Sequence, residues 1–102
     1  MNMGNLMKQA QQFQEKLGTI QEELGSKMVT GAAGGGMVTA TVNGRGELMG
    51  IAIEKDVINP EEAQMLQDLV VAAVNDGLRK AKELGREEMG KLTGGLNLPG
   101  MF

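Results

Sequence analysis

Arg79, Lys82 and Arg86 follow one another at intervals of three and four residues, so on an α-helix they share one face and form a cationic stripe. The chemistry open to such a stripe is electrostatic: it can neutralise the regularly spaced charges of an extended polyanion. Asp76, Lys80, Glu83 and Glu87 form a mixed stripe beside it. The chain carries a net charge of −3, but the charge is unevenly spread. Residues 1–58 hold five basic and six acidic groups, residues 59–78 none and four, and residues 79–102 five and three, which gives −1, −4 and +2. The positive charge therefore collects after residue 78. A competing reading is that acids near a helix start and bases near its end complement the helix dipole and keep the helix soluble.

Other chemistry is poorly supported. His, Cys, Trp and Tyr are absent, and Ser26 is the sole serine. Triads and dyads for nucleophilic catalysis cannot be assembled from this inventory, and zinc or iron would find only carboxylates. Glu22/Glu23, Glu61/Glu62 and Glu87/Glu88 are adjacent on expected helices, where neighbours point in different directions. The glycine-rich runs GAAGGGMVT and NGRGELMG match neither GxxxxGK followed by Ser or Thr nor GxGxxG, and both lead into strands, so they read as turns. The nine Met residues suit flexible filling of helix seams. No enzyme activity, cofactor or metal is expected. With Phe13 and Phe102 the sole aromatics, single-strand binding by base stacking is disfavoured, and contact with a duplex backbone fits better.

The elements that must carry the stripe are legible. Met3, Leu6, Ala10, Phe13, Leu17, Ile20 and Leu24 recur at three and four residues, the heptad seam of a coiled coil, with Gly25 placed to end that helix. Three short β-type runs follow, roughly 27–33, 37–43 and 47–55, divided by Gly34-Gly35-Gly36 and by Asn43-Gly44-Arg45-Gly46. They predict a three-stranded antiparallel meander covered by helix on one side. A second helix opens at INPEEAQML, with Asn59 as N-cap, Pro60 at the first position, Glu62 in a capping-box-like pair and Ile58 available to staple onto Ala63. It is expected to reach about Lys91, too long for a compact domain to hide. Leu66, Leu69, Val70, Val71, Ala72, Ala73 and Val74 make its first half apolar nearly all round. Ala73, Gly77, Ala81 and Gly85 form a row of small residues into which another helix could settle.

Chain length points the same way. A domain of 102 residues buries only about 60–65% of its unfolded surface, and without disulfide or zinc the remaining staple is oligomerisation. A homodimer is expected, with Leu6, Phe13 and Leu17 on the first helix and Leu69, Val70 and Ala73 on the second as interface residues. The first residues lack the apolar core of a signal peptide, and no run approaches about 18 apolar residues, so a soluble cytoplasmic protein without a membrane partner is expected.

The runs GNLMKQAQQFQEKL (4–17), GGGMVTATVNG (34–44), DVINPEEAQMLQDLVVAAVNDGLRKAKE (56–83) and MGKLTGGLNLPGMF (89–102) together resemble the YbaB/EbfC family of bacterial nucleoid-associated proteins. The resemblance implies an α+β fold of α-β-β-β-α order and a tweezer-like homodimer with two long helical arms. It also implies duplex DNA binding in the nucleoid, with contacts on both helices. Carried over residue by residue, it points to Lys8 and Lys16 on the first helix and to Arg79, Lys80, Lys82 and Arg86 on the second. One domain is expected over 1–102, with helix 1 over 1–25, the sheet over 27–55, helix 2 over 59–91 and a flexible tail over 92–102. The alternative function is a homodimeric interaction module acting with recombination or replication proteins.

Overall fold

In the computed structural model, which describes residues 2–96 and their side chains as far as Thr93, helix α1 (Met3–Ser26) is followed by three strands and a second helix. The strands are β1 (Met28–Ala33), β2 (Val38–Asn43) and β3 (Leu48–Ile53), and the second helix is α2 (Ala63–Leu96). The order is the expected α-β-β-β-α. Single 3-10 turns at Gly34–Gly36, Lys55–Val57 and Pro60–Glu62 join the pieces.

Side-chain caps mark the start of α1 and of the 3-10 turn ahead of α2, which itself begins at Ala63 and not at the expected Asn59-Pro60. Asn2 Oδ1 accepts the Gly4 N–H at 2.9 Å, and Asn59 Oδ1 accepts the Glu61 N–H at 3.0 Å, with Pro60 opening a 3-10 turn ahead of α2. Ile58 stays 56% exposed and does not staple onto Ala63. The helix ends differ from expectation. Gly25 does not terminate α1; the helix runs on to Ser26, and Lys27 leaves it in an extended conformation while its N–H donates to the carbonyls of Glu23 and Leu24. Helix α2 continues to Leu96, five residues past the expected end at 91, because each further residue adds a helical hydrogen bond to a helix already nucleated. Its 34 residues span about 51 Å. Residues 97–102 of the expected tail lie outside the described residues.

The sheet is antiparallel in the order β1-β2-β3, with β2 central. Val38, Ala40 and Val42 point from β2 to α2 and are fully buried, and the register sets Ala33, Gly31 and Val29 of β1 beside them on the same face. Val57 and Ala73 close this core, with Leu66, Leu69, Val70 and Val74 of α2 packed around it. The row of small residues on α2 is used inside the chain. A methyl group on Gly31 would collide with the backbone of Ala73 and Gly77, and one on Gly77 would come within 2.7 Å of Val42 Cγ2. Helix and sheet thus meet backbone to backbone, which only glycine permits. Ala73, expected in a dimer interface, has 0% exposure and no surface to offer a partner; its methyl is enclosed by the sheet.

Helix α2 lies over β1 and β2 and leaves β3 open. Ile51 and Leu48 are paired with Ala40 and Val42, so they face the same side as the core, yet they remain 41% and 46% exposed. A bulge between Thr41 and Val42 leaves Met49 as an extra residue on β3. Helix α1 touches the rest of the molecule mainly at its C-terminal end. The molecule measures 70 × 24 × 16 Å, with a radius of gyration of 19.4 Å, against about 13 Å for a compact chain of this length.

Candidate nucleic-acid interface

The basic residues of α2 divide into two groups. On the side facing β1, α2 is stitched to the free edge of the sheet. Asp76 Oδ2 accepts the Ala32 N–H at 3.0 Å, and Lys80 Nζ donates to the Thr30 carbonyl at 3.0 Å. Arg79 bridges Asp76 and Glu83 at 2.9 Å each, Lys80 meets Asp76 at 3.1 Å, and Lys27 meets Glu88 at 2.9 Å. The Ala32 N–H, then Arg79 and Lys80, hold the Asp76 carboxyl down to about 2, so it is ionised at every physiological pH. Lys27 and then Lys91 likewise lower the Glu88 carboxyl. Side chains that satisfy an edge strand in this way also block its pairing with other chains. Arg79 and Lys80, both expected on the DNA face, are therefore engaged by carboxylates within the chain.

Lys82 and Arg86, which share a face of α2 with Arg79, form no ion pair among the described residues. They rim a cleft of about 620 Å³ where the end of α1, the β2–β3 turn and α2 meet, floored by Leu24, Leu78, Ala81 and Met89. A third cation stands on the same rim. Arg45 reaches it from the β2–β3 turn, which sequence reading treats only as a turn between strands. The signal was weak: a single arginine in Asn43-Gly44-Arg45-Gly46 becomes notable only when the fold sets it opposite Lys82 and Arg86. On α1, Lys8 and Lys16 are exposed and unpaired among the described residues. Lys16 borders a second cleft, of about 770 Å³, shared with Glu15, Glu23, Glu88 and Lys91. That cleft is mixed in charge, whereas Lys82, Arg86 and Arg45 make the first one cationic.

The expected interface residues are also dispersed. Leu6 is exposed on α1, Phe13 and Leu17 are half-buried, and Leu69 and Val70 pack partly against the core.

Residues 1–96 match the model of the YbaB/EbfC DNA-binding family. The chain belongs to this family. A nucleoid-associated protein of Desulfotalea psychrophila is 58% identical over 99 residues, covering 97% of this YbaB/EbfC chain and 93% of the relative. One from Thermoanaerobacter pseudethanolicus is 54% identical over 101 residues, covering 99% and 91%. The crystal structure of an uncharacterized protein from Helicobacter pylori superposes with a TM-score of 0.78 at 25% identity, covering 91% of this chain and 97% of that one. The architecture of the YbaB/EbfC chain is thus shared with a solved structure, and its family is a DNA-binding one.

Proposed function

We propose that the protein is a nucleoid-associated homodimer that binds duplex DNA through backbone phosphates, with Lys82 and Arg86 as its principal contacts. The observation that carries this reading is that these two cations are free of carboxylate partners among the described residues while their neighbours Arg79 and Lys80 are not. A paired cation must first lose its carboxylate before it can displace a DNA counterion, so it adds less to affinity than a free one. Lys8 and Lys16 add exposed charge on α1. Arg79 and Lys80 reach phosphates only by releasing Asp76 and Glu83.

The dimer rests on exposed apolar surface. Leu48, Met49, Ile51, Met65 and Val71 are each more than 40% exposed, and Met3, Leu6 and Met7 line an uncovered seam on α1. Patches of this kind on a small extended chain call for a partner, and a second copy presents the same surface. Covering the β3 shelf with a twin would double the number of cationic clefts facing one duplex. Phe13 and Leu17 on α1, and Leu69 and Val70 on α2, are half-buried and keep some apolar surface for a partner to cover.

Fluorescence anisotropy with a duplex of random sequence tests the DNA reading. Two free cations per protomer, four per dimer, give a slope of log affinity against log salt of about −3.5 or steeper, or a loss of about 150-fold between 50 and 200 mM. Affinity should vary little with base sequence, because phosphate contacts position without reading bases. Lys82→Gln with Arg86→Gln should flatten the slope. Binding that is absent at both salts would instead favour a module acting on recombination or replication proteins.

A further inference from the structure

We propose that Arg45, on the turn between β2 and β3, joins Lys82 and Arg86 in one phosphate-binding cleft, so that each protomer grips the duplex from its sheet as well as from its helix. This rests on the DNA-binding reading above and extends it to an element outside both helices.

The backbone of the turn that carries Arg45 is firmly fixed. Asn43 is 2% exposed, and all its side-chain hydrogen-bonding groups are used. Its Oδ1 accepts the N–H groups of Arg45 and Glu47 at 3.0 Å each, and its Nδ2 donates to Glu47 Oε1 at 2.8 Å and to the Gly25 carbonyl at 3.4 Å. The Gly44 N–H donates to the carbonyls of Leu24 at 2.8 Å and Lys27 at 2.9 Å, so the turn is pinned to the end of α1. Gly44 approaches so closely that a methyl there would lie 2.7 Å from the Leu24 carbonyl oxygen. A methyl on Gly25 would occupy the space of the Arg45 guanidinium. The guanidinium therefore rests against the Gly25 backbone at the end of α1.

What the guanidinium does there is not exhausted inside the chain. Its recorded ion pair is one 3.3 Å contact from Nε to Glu47 Oε1, an oxygen already accepting from Asn43, and its side chain is 47% exposed. The terminal nitrogens remain available, and a phosphate takes two parallel N–H groups from arginine. Lys82 and Arg86 on the facing wall supply two more positive groups.

The test is a salt titration of duplex binding by wild type, Arg45→Gln, Arg45→Lys and the pair Lys82→Gln with Arg86→Gln, with helix content followed by circular dichroism. Arg45→Gln keeps much of the side-chain volume and removes the charge; it should flatten the log–log slope by about 2 for a dimer, while Arg45→Lys preserves it. If Arg45→Gln leaves the slope unchanged while the helix pair flattens it, the proposal is overturned and the DNA-binding reading stands. If none of the variants changes the slope, both fall. Should Arg45→Gln fail to fold, phenylglyoxal modification of wild-type protein, read by mass spectrometry, decides. Duplex DNA should slow modification of Arg45 at least several-fold; equal modification with and without DNA, or protection by an acidic peptide such as polyglutamate but not by DNA, overturns the assignment.

Discussion

At the scale of single residues, glycine and aspartate carry the sharpest consequences. Gly18 lies on α1 with nothing within 4 Å of where a methyl would go, so Gly18→Ala should stabilise by about 1 kcal/mol through helix propensity alone. Gly77→Ala carries the same propensity gain, yet its methyl meets Val42, and overpacking costs about 1–3 kcal/mol, so a net loss is expected. Gly31→Ala should be worse than either, because its neighbours are backbone atoms that cannot rotate away. Thermal melts of the three variants check the order. Asp76 makes a pH-dependent prediction. Its folded value is depressed to about 2 by the Ala32 N–H, Arg79 and Lys80, below the ordinary 3.8, so its stabilising effect is complete above about pH 4 and is lost as the pH falls through 2. Asp76→Asn should melt below wild type at pH 7, and the two curves should converge toward pH 2. A constant difference across that range would mean that the carboxylate charge is not what joins α2 to β1.

At the scale of elements, the β2–β3 turn ties α1 to the sheet. Asn43→Ala removes four hydrogen bonds from a buried position and should cost about 1–3 kcal/mol. Since α1 touches the sheet chiefly here, the loss should appear first as faster amide exchange at Leu24–Lys27, ahead of any change in the β1–β2 ladder. Uniform change in both regions would show that the turn and the core open together. The Lys27–Glu88 pair ties the residue before β1 to the far part of α2, but with Lys27 43% exposed it adds little to stability.

At the scale of the whole molecule, the prediction concerns assembly. Light scattering after gel filtration should report twice the chain mass at micromolar concentration. Leu48→Asp and Ile51→Asp place a charge on the β3 shelf, which is exposed within one chain, so each should yield a monomer that keeps its helix content. Leu69→Asp sits against the protomer core and should unfold the chain as well. If the two shelf variants stay dimeric, the partner covers another face, with the α1 seam the next to test. If the wild-type chain is a stable monomer, the extended shape needs another explanation.

Helix starts, strand positions and the family follow from the sequence because they depend on near neighbours: Asn59 and Pro60 write a helix start locally, and alternation of Val38, Ala40 and Val42 writes a buried strand face. The stripe of Arg79, Lys82 and Arg86 is equally a matter of helical spacing. The carboxylates that pair with Arg79 and Lys80 are local too, three or four residues away on the same helix; what depends on how α2 lies on β1 is that Asp76 also bonds the Ala32 N–H across 44 residues of chain and Lys80 the Thr30 carbonyl. The same docking decides that Ala73 and Gly77 face the sheet and not a second helix: apolar spacing marks a face for burial but does not say against what. Arg45 is the clearest case, because a turn residue acquires cationic neighbours only through the packing of α1, the turn and α2, and Gly44 and Gly25, which let the turn approach Leu24 and the guanidinium rest on α1, read along the chain as a hairpin and a helix end. Local hydrogen bonding, periodicity and ion pairs three or four residues apart on a helix are properties of sequence; the partners a charge meets across elements belong to the tertiary structure, because they are distant in the chain.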